Sequence, residues 1–294
     1  MDTRLHIGAH KTATTHLQAC LEQNCEALAA RGIGIFTPVD AKGVLREATA
    51  ALRADLYTRH PHRRDPLASI RLKRRFRSLQ RWHPTLVLSD ENIIEWMANL
   101  FSGRFYPDAG KRISKLIRNT GIRPVSVFLS VREYGSFFSS AYAFQTGRTV
   151  LPNPEKAARV CQEMQRGWPE LVSDVLSALP GVPLKVWRHE AYDTEARLEE
   201  LTGCSRLAVG GADVNQAPTP EAMAILRELR NRGPLAPAQL RYVRDAFTGG
   251  GRFTLWPESE AEAWRDLYRK DLDRIADMPG VELEGDMVIS PAPS

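Results

Sequence analysis

The chain has 294 residues, 43% of them hydrophobic, and its 40 lysine and arginine residues exceed its 35 aspartate and glutamate residues to give a net charge of +5. This length and composition indicate a soluble globular protein with a full hydrophobic core. Because no run of about 20 apolar residues is present, a transmembrane helix is excluded. The positive charge suits anionic ligands in general and does not discriminate among them.

Cysteine usage and the first predicted strand bear on location. The four cysteines form no Cys-x-x-Cys pair and no zinc-ligand spacing, and lie at Cys20, Cys25, Cys161 and Cys204. Reduced thiols are the default for such cysteines. The first strand is predicted to begin near residue 4, which leaves no space for a signal peptide. We therefore expect a cytoplasmic protein.

Residues 4–15, RLHIGAHKTATT, predict a short buried strand, a turn and the start of a helix. Leu5 and Ile7 alternate as the apolar positions of a strand do. From Gly8 onward, the N–H groups of the turn and the N-terminus of the next helix can converge on an anion. Lys11 would add a positive charge. Three hydroxyls follow it, those of Thr12, Thr14 and Thr15.

An amphipathic helix is predicted after the turn. Its apolar positions are spaced by four, four and three residues, at Leu17, Leu21, Cys25 and Leu28. This spacing predicts one continuous helix. Gly32 then follows Arg31 as the glycine that ends the helix.

The turn differs from the nucleotide-triphosphate loop, which requires G-x-x-x-x-G-K-S/T. Its pattern, G-x-x-K-T-x-T-T, resembles the 5′-phosphosulfate loop of sulfotransferases that use 3′-phosphoadenosine-5′-phosphosulfate. The resemblance implies that this donor is bound by His10, Lys11, Thr12, Ala13, Thr14 and Thr15. Ala13 stands where the usual pattern has glycine. The simpler alternative is a strand, turn and helix with a solvated lysine.

A strongly basic region follows between Arg59 and Arg81. Apolar residues at positions 72, 76 and 79 predict an amphipathic helix from about Asp65 to Trp82. A solvated basic face over a core stripe is the first interpretation, and acceptor binding is the second. Peripheral membrane contact stays open. Nucleic-acid binding is not expected, because no recognition motif accompanies the charge.

Residues 84–92, PTLVLSDEN, predict an apolar strand that ends in two carboxylates. Bacterial sulfotransferases often end this strand in a Ser-Ser-Glu-like turn, and this resemblance makes Glu91 the candidate catalytic base. Crowding by Asp90 and partial desolvation predict a raised pKa for Glu91. Alternatively, Ser89 or Asp90 caps a helix that starts near Glu91, and both interpretations can hold together. His10 and His16 are competing bases.

Residues 123–144 predict a second β-rich strand, which ends at Arg132, and then an aromatic helix. Sulfotransferases carry a similar unit, in which an arginine at the strand end and a serine eight residues later bind the 3′-phosphate of the donor. Arg132 and Ser140 match that spacing. Ser136 and Ser139 are alternatives to Ser140. A surface arginine followed by ordinary helical serines is the simpler interpretation.

The rest of the chain predicts further secondary structure and adds no candidate site residue. A strand is predicted at Val182–Trp187 and a helix at about Thr194–Leu201, followed by a long loop at Ser205–Pro220. Three further helices are predicted at Glu221–Arg230, Pro237–Phe247 and Glu258–Ile275.

Together these elements predict one α/β domain over residues 1–294. Its core, at about 1–205, would be a mainly parallel sheet of four to five strands with helices on both faces, similar to P-loop NTPases. A helical C-terminal section would cover about 206–294.

The resemblance implies transfer of a sulfuryl group from 3′-phosphoadenosine-5′-phosphosulfate to a hydroxyl of a carbohydrate or glycolipid, with Lys11 and Glu91 as catalytic residues and no metal. Two alternatives remain open. One is a P-loop kinase that uses ATP, and the other is a non-catalytic anion- or glycan-binding protein.

Overall fold

A computed structural model describes residues 2–38, 68–95, 97–210, 218–248, 251 and 253–284. At its centre lies a parallel sheet of six strands in the order β2-β3-β1-β4-β5-β6. The strands are β1 (Asp2–His6), β2 (Ile33–Phe36), β3 (Thr85–Ser89), β4 (Pro124–Val131), β5 (Leu184–Arg188) and β6 (Val281–Leu283). The predicted α/β class with a parallel sheet is therefore confirmed.

The sheet has six strands, more than the four to five predicted. The additional strands are the two edges, β2 and β6, which contain four and three residues. Strands this short leave almost no hydrophobic alternation to detect in the sequence. β6 belongs to the C-terminal section, which was predicted to be helical. It pairs with β5 and forms one edge of the sheet.

Eleven α-helices surround the sheet within the described residues. They are α1 (Thr14–Gln23), α2 (Cys25–Ala30), α3 (Ala68–Trp82), α4 (Ala109–Thr120), α5 (Tyr134–Gln145), α6 (Pro154–Gln162), α7 (Trp168–Ala178), α8 (Thr194–Thr202), α9 (Pro220–Arg232), α10 (Pro237–Ala246) and α11 (Glu258–Ala276). None of them is both long and apolar enough to cross a membrane.

The predicted continuous helix after the turn is wrong, because Asn24 divides it into α1 and α2. The Asn24 side chain donates to the carbonyls of Cys20 and Ala208 and accepts from the Ala208 N–H. These bonds hold the segment after α8 against the break between α1 and α2. Cys25, expected on the apolar stripe, is exposed as a result. Gly32 does end α2, with φ 76°.

Helices cover both faces of the sheet, as predicted. On one face, α1, α2 and α8 pack against Val87, Phe128 and Trp187. On the other face, a larger core surrounds Leu86 and Leu88 and receives α4, α5, α7 and α11. Adjacent positions on β3 thus point to opposite faces, as in a strand buried on both sides.

The basic helix is confirmed at Ala68–Trp82, and the part of the basic region before it lies outside the described residues. Phe76 is fully buried and packs on Phe36, while Lys73, Arg74 and Arg77 are exposed. The exposed basic side chains of the helix therefore face solvent, while Phe76 packs into the core.

The strand order places β1 between β3 and β4. Since all strands are parallel, the segments after these three strands emerge at one edge of the sheet. The chain leaves β1 toward β2 and leaves β4 toward β5, in opposite directions along the sheet. Such a divergence opens the crevice in which α/β proteins usually bind ligands.

Candidate active site

The turn after β1 has a backbone that requires glycine at its first position. Gly8 has φ 33°, in the left-handed region. A Cβ at this position would lie 2.5 Å from Thr14 Oγ1 and 3.2 Å from His6 Nε2. Any side chain would therefore push the start of α1 away from β1, and Gly8 permits the close approach of strand, turn and helix.

Two further residues of the turn, Lys11 and Ala13, have φ values of 63° and 67°, and Thr12 between them does not share this conformation. Alternation of right- and left-handed conformations directs successive N–H groups into one concavity, the geometry of a backbone anion site. The first N–H groups of α1, which lack intrahelical acceptors, adjoin it. The left-handed residues and the adjacent helix N-terminus are therefore two features that backbone sites for phosphate and sulfate share.

The threonine hydroxyls divide between two roles. Thr12 and Thr14 are buried, and both donate to the carbonyl of Ala9, at 2.6 and 3.3 Å. Their hydroxyls therefore stabilise the turn from inside, whereas the sequence pattern predicts that they serve as ligand donors. Thr15 is exposed and remains a candidate donor.

The two segments singled out in the sequence meet at one hydrogen bond. Arg132 follows β4 directly, and its Nη1 donates to the carbonyl oxygen of Lys11 at 2.7 Å. Its Nε donates to Ser136 Oγ at 3.0 Å. The guanidinium is thus held against the outer side of the turn, at the crevice between β1 and β4.

The serines after Arg132 occupy different environments. Ser139 is buried, and its Oγ accepts from the Leu255 N–H. Ser136 accepts from Arg132 and donates to the carbonyl of Glu133. Ser140 is half-buried, and its hydroxyl makes no hydrogen bond with the described residues. Of the three candidates, Ser140 is therefore the one whose hydroxyl is available to a ligand.

One face of α5 runs along the turn. Ser136, Ser140 and Phe144 are successive i, i+4 positions and share that face. Ser136 contacts Arg132, and the Phe144 ring lies 4.7 Å from the Lys11 ammonium. Ser140 lies between these two contacts, so both predicted cations and the predicted serine border one crevice.

Lys11 has an unusual electrostatic environment. Its pKa is lowered to about 8, first by burial and then by the positive charges of Arg132, Arg244 and Arg148. The strongest charges acting on this ammonium are all positive. Such a concentration of cations is costly unless an anion neutralises it, so the pKa shift supports an anion site.

Glu91 lies in a short 3₁₀ helix, Glu91–Ile93, directly after β3. Its Oε2 accepts from Gln18 Nε2 at 2.9 Å, which ties the carboxylate to α1. Asp90 caps this 3₁₀ helix, because its Oδ1 accepts from the Asn92 N–H at 2.9 Å. The predicted cap at Asp90 is therefore confirmed.

His10 links the turn to the segment after β3. Its Nδ1 lies 3.2 Å from Tyr106 Oη, and its Nε2 lies 3.4 Å from Asn92 Oδ1. Burial lowers the pKa of His10 to about 4, so the ring is neutral at pH 7. His10 thereby joins two edges of the crevice. The competing base His16 faces elsewhere, toward Cys20 and Tyr192.

Two other histidines, His6 and His189, lie near the turn and are not among the predicted site residues. His6 Nδ1 pairs with Ser89 Oγ at 2.8 Å, while its buried Nε2 has no hydrogen-bond partner among the described residues. Burial lowers the pKa of His6 to about 3. His189, after β5, has a pKa of about 4 because of burial and the neighbouring Arg132 charge. Both rings are neutral, so they add no competing positive charge.

Three further residues at the crevice, Phe144, Arg148 and Arg244, were also not predicted. Phe144 and Arg148 continue the four-residue spacing that begins at Arg132, a signal that was present in the sequence. Arg244 belongs to α10, and its spacing along the chain carries no comparable signal.

Comparisons of the chain with protein-family models, curated proteins and solved structures found no match.

Proposed function

We propose that the protein transfers a sulfuryl group from 3′-phosphoadenosine-5′-phosphosulfate to a hydroxyl of a carbohydrate or glycolipid. The observation that carries this proposal is the 2.7 Å hydrogen bond from Arg132 to the Lys11 carbonyl. This bond joins the turn after β1, which the resemblance assigns to the 5′-phosphosulfate, to the end of β4, which the resemblance assigns to the 3′-phosphate.

The residues at the crevice fit such a donor. The backbone concavity at Lys11 and Ala13 suits its 5′-phosphosulfate, and Lys11 adds a point charge. Arg132 suits the 3′-phosphate, which a guanidinium binds through several N–H donors. Ser140, on the face of α5 that also carries Ser136 and Phe144, adds a neutral hydroxyl donor.

The proposed reaction is an in-line displacement at sulfur. The acceptor oxygen forms a bond to sulfur while the bond from sulfur to the 5′-phosphate oxygen breaks, and that oxygen keeps the electron pair. Lys11 and the turn amides stabilise the negative charge that grows there. Glu91 takes the proton from the acceptor hydroxyl, and Gln18 orients the carboxylate. The nucleotide product is 3′-phosphoadenosine-5′-phosphate.

The test is calorimetry with 3′-phosphoadenosine-5′-phosphate. We expect Lys11→Ala and Arg132→Ala each to weaken binding about tenfold or more, because each removes a charge-assisted contact. Arg118→Ala, at an exposed position of α4, is the matched control and should bind as the unaltered protein does. Undiminished affinity in both site variants would contradict the proposal.

A second ligand separates the roles of the two cations. Adenosine 5′-phosphate lacks the 3′-phosphate, so the unaltered protein should bind it much more weakly than the bisphosphate. In Arg132→Ala the two ligands should differ little, whereas in Lys11→Ala the preference for the bisphosphate should persist. An unchanged preference in Arg132→Ala would remove Arg132 from the 3′ site.

The proposed base is tested by turnover. Glu91→Gln keeps the size of the side chain and its ability to accept from Gln18 through an amide oxygen. We expect it to bind the bisphosphate normally and to lose sulfuryl transfer about a hundredfold or more. Normal turnover by Glu91→Gln would assign the base elsewhere, and intact binding without any turnover by the unaltered protein would favour the non-catalytic alternative.

A further inference from the structure

A second group of cations lies at the far end of α5. The Phe144 ring is contacted by Lys11 Nζ at 4.7 Å from its centroid and by Arg148 Cζ at 3.9 Å. An aromatic face attracts each cation, but two positive groups around one ring repel each other. Their proximity is favourable when an anion binds between or beside them.

Arg148 is held in place by the turn after α5. Gly147 has φ 82°, Thr146 and Thr149 form a β-bridge, and the Arg148 guanidinium donates to the Phe144 carbonyl. Because the turn is closed on both sides of Arg148, its guanidinium has a defined position beside Phe144.

Arg244 adds a third cation from α10. A Cβ built on Gly147 would lie only 2.6 Å from Leu240 Cδ2, so α10 packs directly against this turn. Arg244 follows Leu240 by one helical turn and therefore lies on the same side of α10. Its Nε is buried and has no hydrogen-bond partner among the described residues. Buried N–H donors normally have a partner, so this one points to a ligand.

The electrostatic environment agrees with this geometry. Burial and the charge of Arg244 lower the pKa of Arg148 to about 10, and Arg244 also lowers the pKa of Lys11. Asp245, the neighbour of Arg244 on α10, is the carboxylate that acts on Arg244. The three cations thus form one cluster, which we call the α5-end cluster: Lys11, Arg148 and Arg244.

The position of Arg148 and Arg244 distinguishes them from the proposed 3′-phosphate site. Arg132 precedes α5 and Arg148 follows it, and the 12 residues of the helix span about 18 Å. Lys11 contacts Arg132 through its carbonyl and Phe144 through its ammonium, so Lys11 lies between them. A donor bound at Arg132 and Lys11 therefore leaves Arg148 and Arg244 beyond Lys11, on the side away from Arg132.

We propose that Arg148 and Arg244 bind a negatively charged group of the acceptor, and that the acceptor is an acidic carbohydrate whose carboxylate or sulfate lies near the hydroxyl to be sulfated. This inference rests on the proposed function, because that function requires an acceptor to bind beside the donor.

The test uses an oligosaccharide of alternating uronic acid and N-acetylhexosamine as probe, together with its carboxyl-reduced, neutral form. Binding of each is measured by calorimetry on the protein saturated with 3′-phosphoadenosine-5′-phosphate. A sulfated, carboxyl-reduced form separates sulfate from carboxylate recognition. We expect the unaltered protein to bind at least one acidic form about tenfold or more tightly than the neutral form.

Arg148→Gln and Arg244→Gln are the site variants, and Arg241→Gln, exposed on the same helix, is the matched control. Each site variant should lose most of the preference for the acidic probe and weaken bisphosphate binding far less than Lys11→Ala does. Equal binding of all probes, or an undiminished acidic preference in both site variants, would overturn the inference and leave the proposed function intact.

Failure of the proposed function has a different signature. If Arg148→Gln and Arg244→Gln weaken the bisphosphate as strongly as Lys11→Ala does, both arginines belong to the nucleotide site and the inference about the acceptor is wrong. If the unaltered protein does not bind the bisphosphate at all, the proposed function itself fails.

Discussion

Ala13 is the residue at which the turn after β1 departs from the sequence pattern it resembles. Its φ of 67° lies in the left-handed region, where a Cβ is unfavourable. Glycine avoids this penalty, which gives a physical reason for glycine at this position of the pattern. The methyl group is tolerated here because α1 and the buried Thr12 and Thr14 hydroxyls hold the turn.

Ala13→Gly should therefore stabilise the protein. Relief of the left-handed strain is worth about 1 kcal/mol, and the greater freedom of glycine in the unfolded chain offsets part of it. We expect the free energy of unfolding to rise by roughly 0.5 kcal/mol in urea denaturation. Ala224→Gly, at an exposed position inside α9, is the control and should be destabilising. A loss of stability in Ala13→Gly would show that this conformation carries no strain.

Lys11 predicts a pH dependence of nucleotide binding. Its pKa of about 8 in the free protein leaves it charged at pH 7, and a bound anion raises that pKa because it favours the charged form. Affinity for 3′-phosphoadenosine-5′-phosphate is thus fully present below pH 8 and falls by up to about tenfold per pH unit above it. The ligand phosphates, with a second pKa near 6, do not titrate in that range.

Calorimetry between pH 7 and 9.5 measures this profile, and above pH 8 the binding heat should depend on the buffer because a proton is taken up. Lys11→Arg provides the control, since a guanidinium stays charged and should flatten the profile. A flat profile in the unaltered protein would mean that Lys11 does not meet the anion.

The individual site residues were predictable where chemistry and spacing coincide. Lys11 and Arg132 could be found because each follows a predicted strand at a recognisable spacing, and the structure brings them together. Arg244 could not, because its place at the crevice depends on how α10 packs against Gly147. Tertiary packing of this kind leaves no periodic trace in the sequence.

At the scale of elements, a buried polar contact joins three helices. Tyr134 of α5 donates to Asp271 of α11 at 2.6 Å and accepts from the Trp168 N–H of α7 at 2.7 Å. Burial and the Asp271 charge raise the pKa of Tyr134, so its hydroxyl stays a neutral donor. This contact anchors the start of α5, the helix that lines the candidate site.

Tyr134→Phe should destabilise the protein by about 2 kcal/mol, because it leaves a buried carboxylate and a buried N–H without this partner. Tyr242→Phe is the control, since Tyr242 is 75% exposed on α10 and should change stability by less than about 0.5 kcal/mol. Both are measured by urea denaturation. Equal stability of the two variants would show that the hydroxyl of Tyr134 contributes nothing.

Helices were predicted from the sequence more accurately than edge strands. α11 was expected at Glu258–Ile275 and occupies Glu258–Ala276, because its amphipathic pattern extends over five turns. β6 was missed, since its three residues are only partly buried or exposed and its pairing with β5 joins distant parts of the chain. Local patterns reveal long helices, whereas a short edge strand is defined by the neighbour it pairs with.

At the scale of the whole molecule, nucleotide binding should stabilise the folded state. A ligand at one hundred times its dissociation constant adds about 2.7 kcal/mol, which corresponds to a rise in Tm of roughly 4 °C for a chain of this length. We expect this rise with 3′-phosphoadenosine-5′-phosphate, measured by thermal unfolding, and a smaller one with ATP and Mg²⁺ at the same concentration. A larger effect of ATP would favour the kinase alternative.

The position of β1 in the middle of the sheet has a consequence for selectivity. Glu91 follows β3 and Arg132 follows β4, so one strand separates the elements that carry them. Two interstrand spacings amount to roughly 10 Å, and hydrogen-bonded neighbours on both sides make that interval rigid. The sheet therefore fixes the distance between the ends of β3 and β4. Under the proposed function, this interval limits the combined length of donor and acceptor that the site can hold.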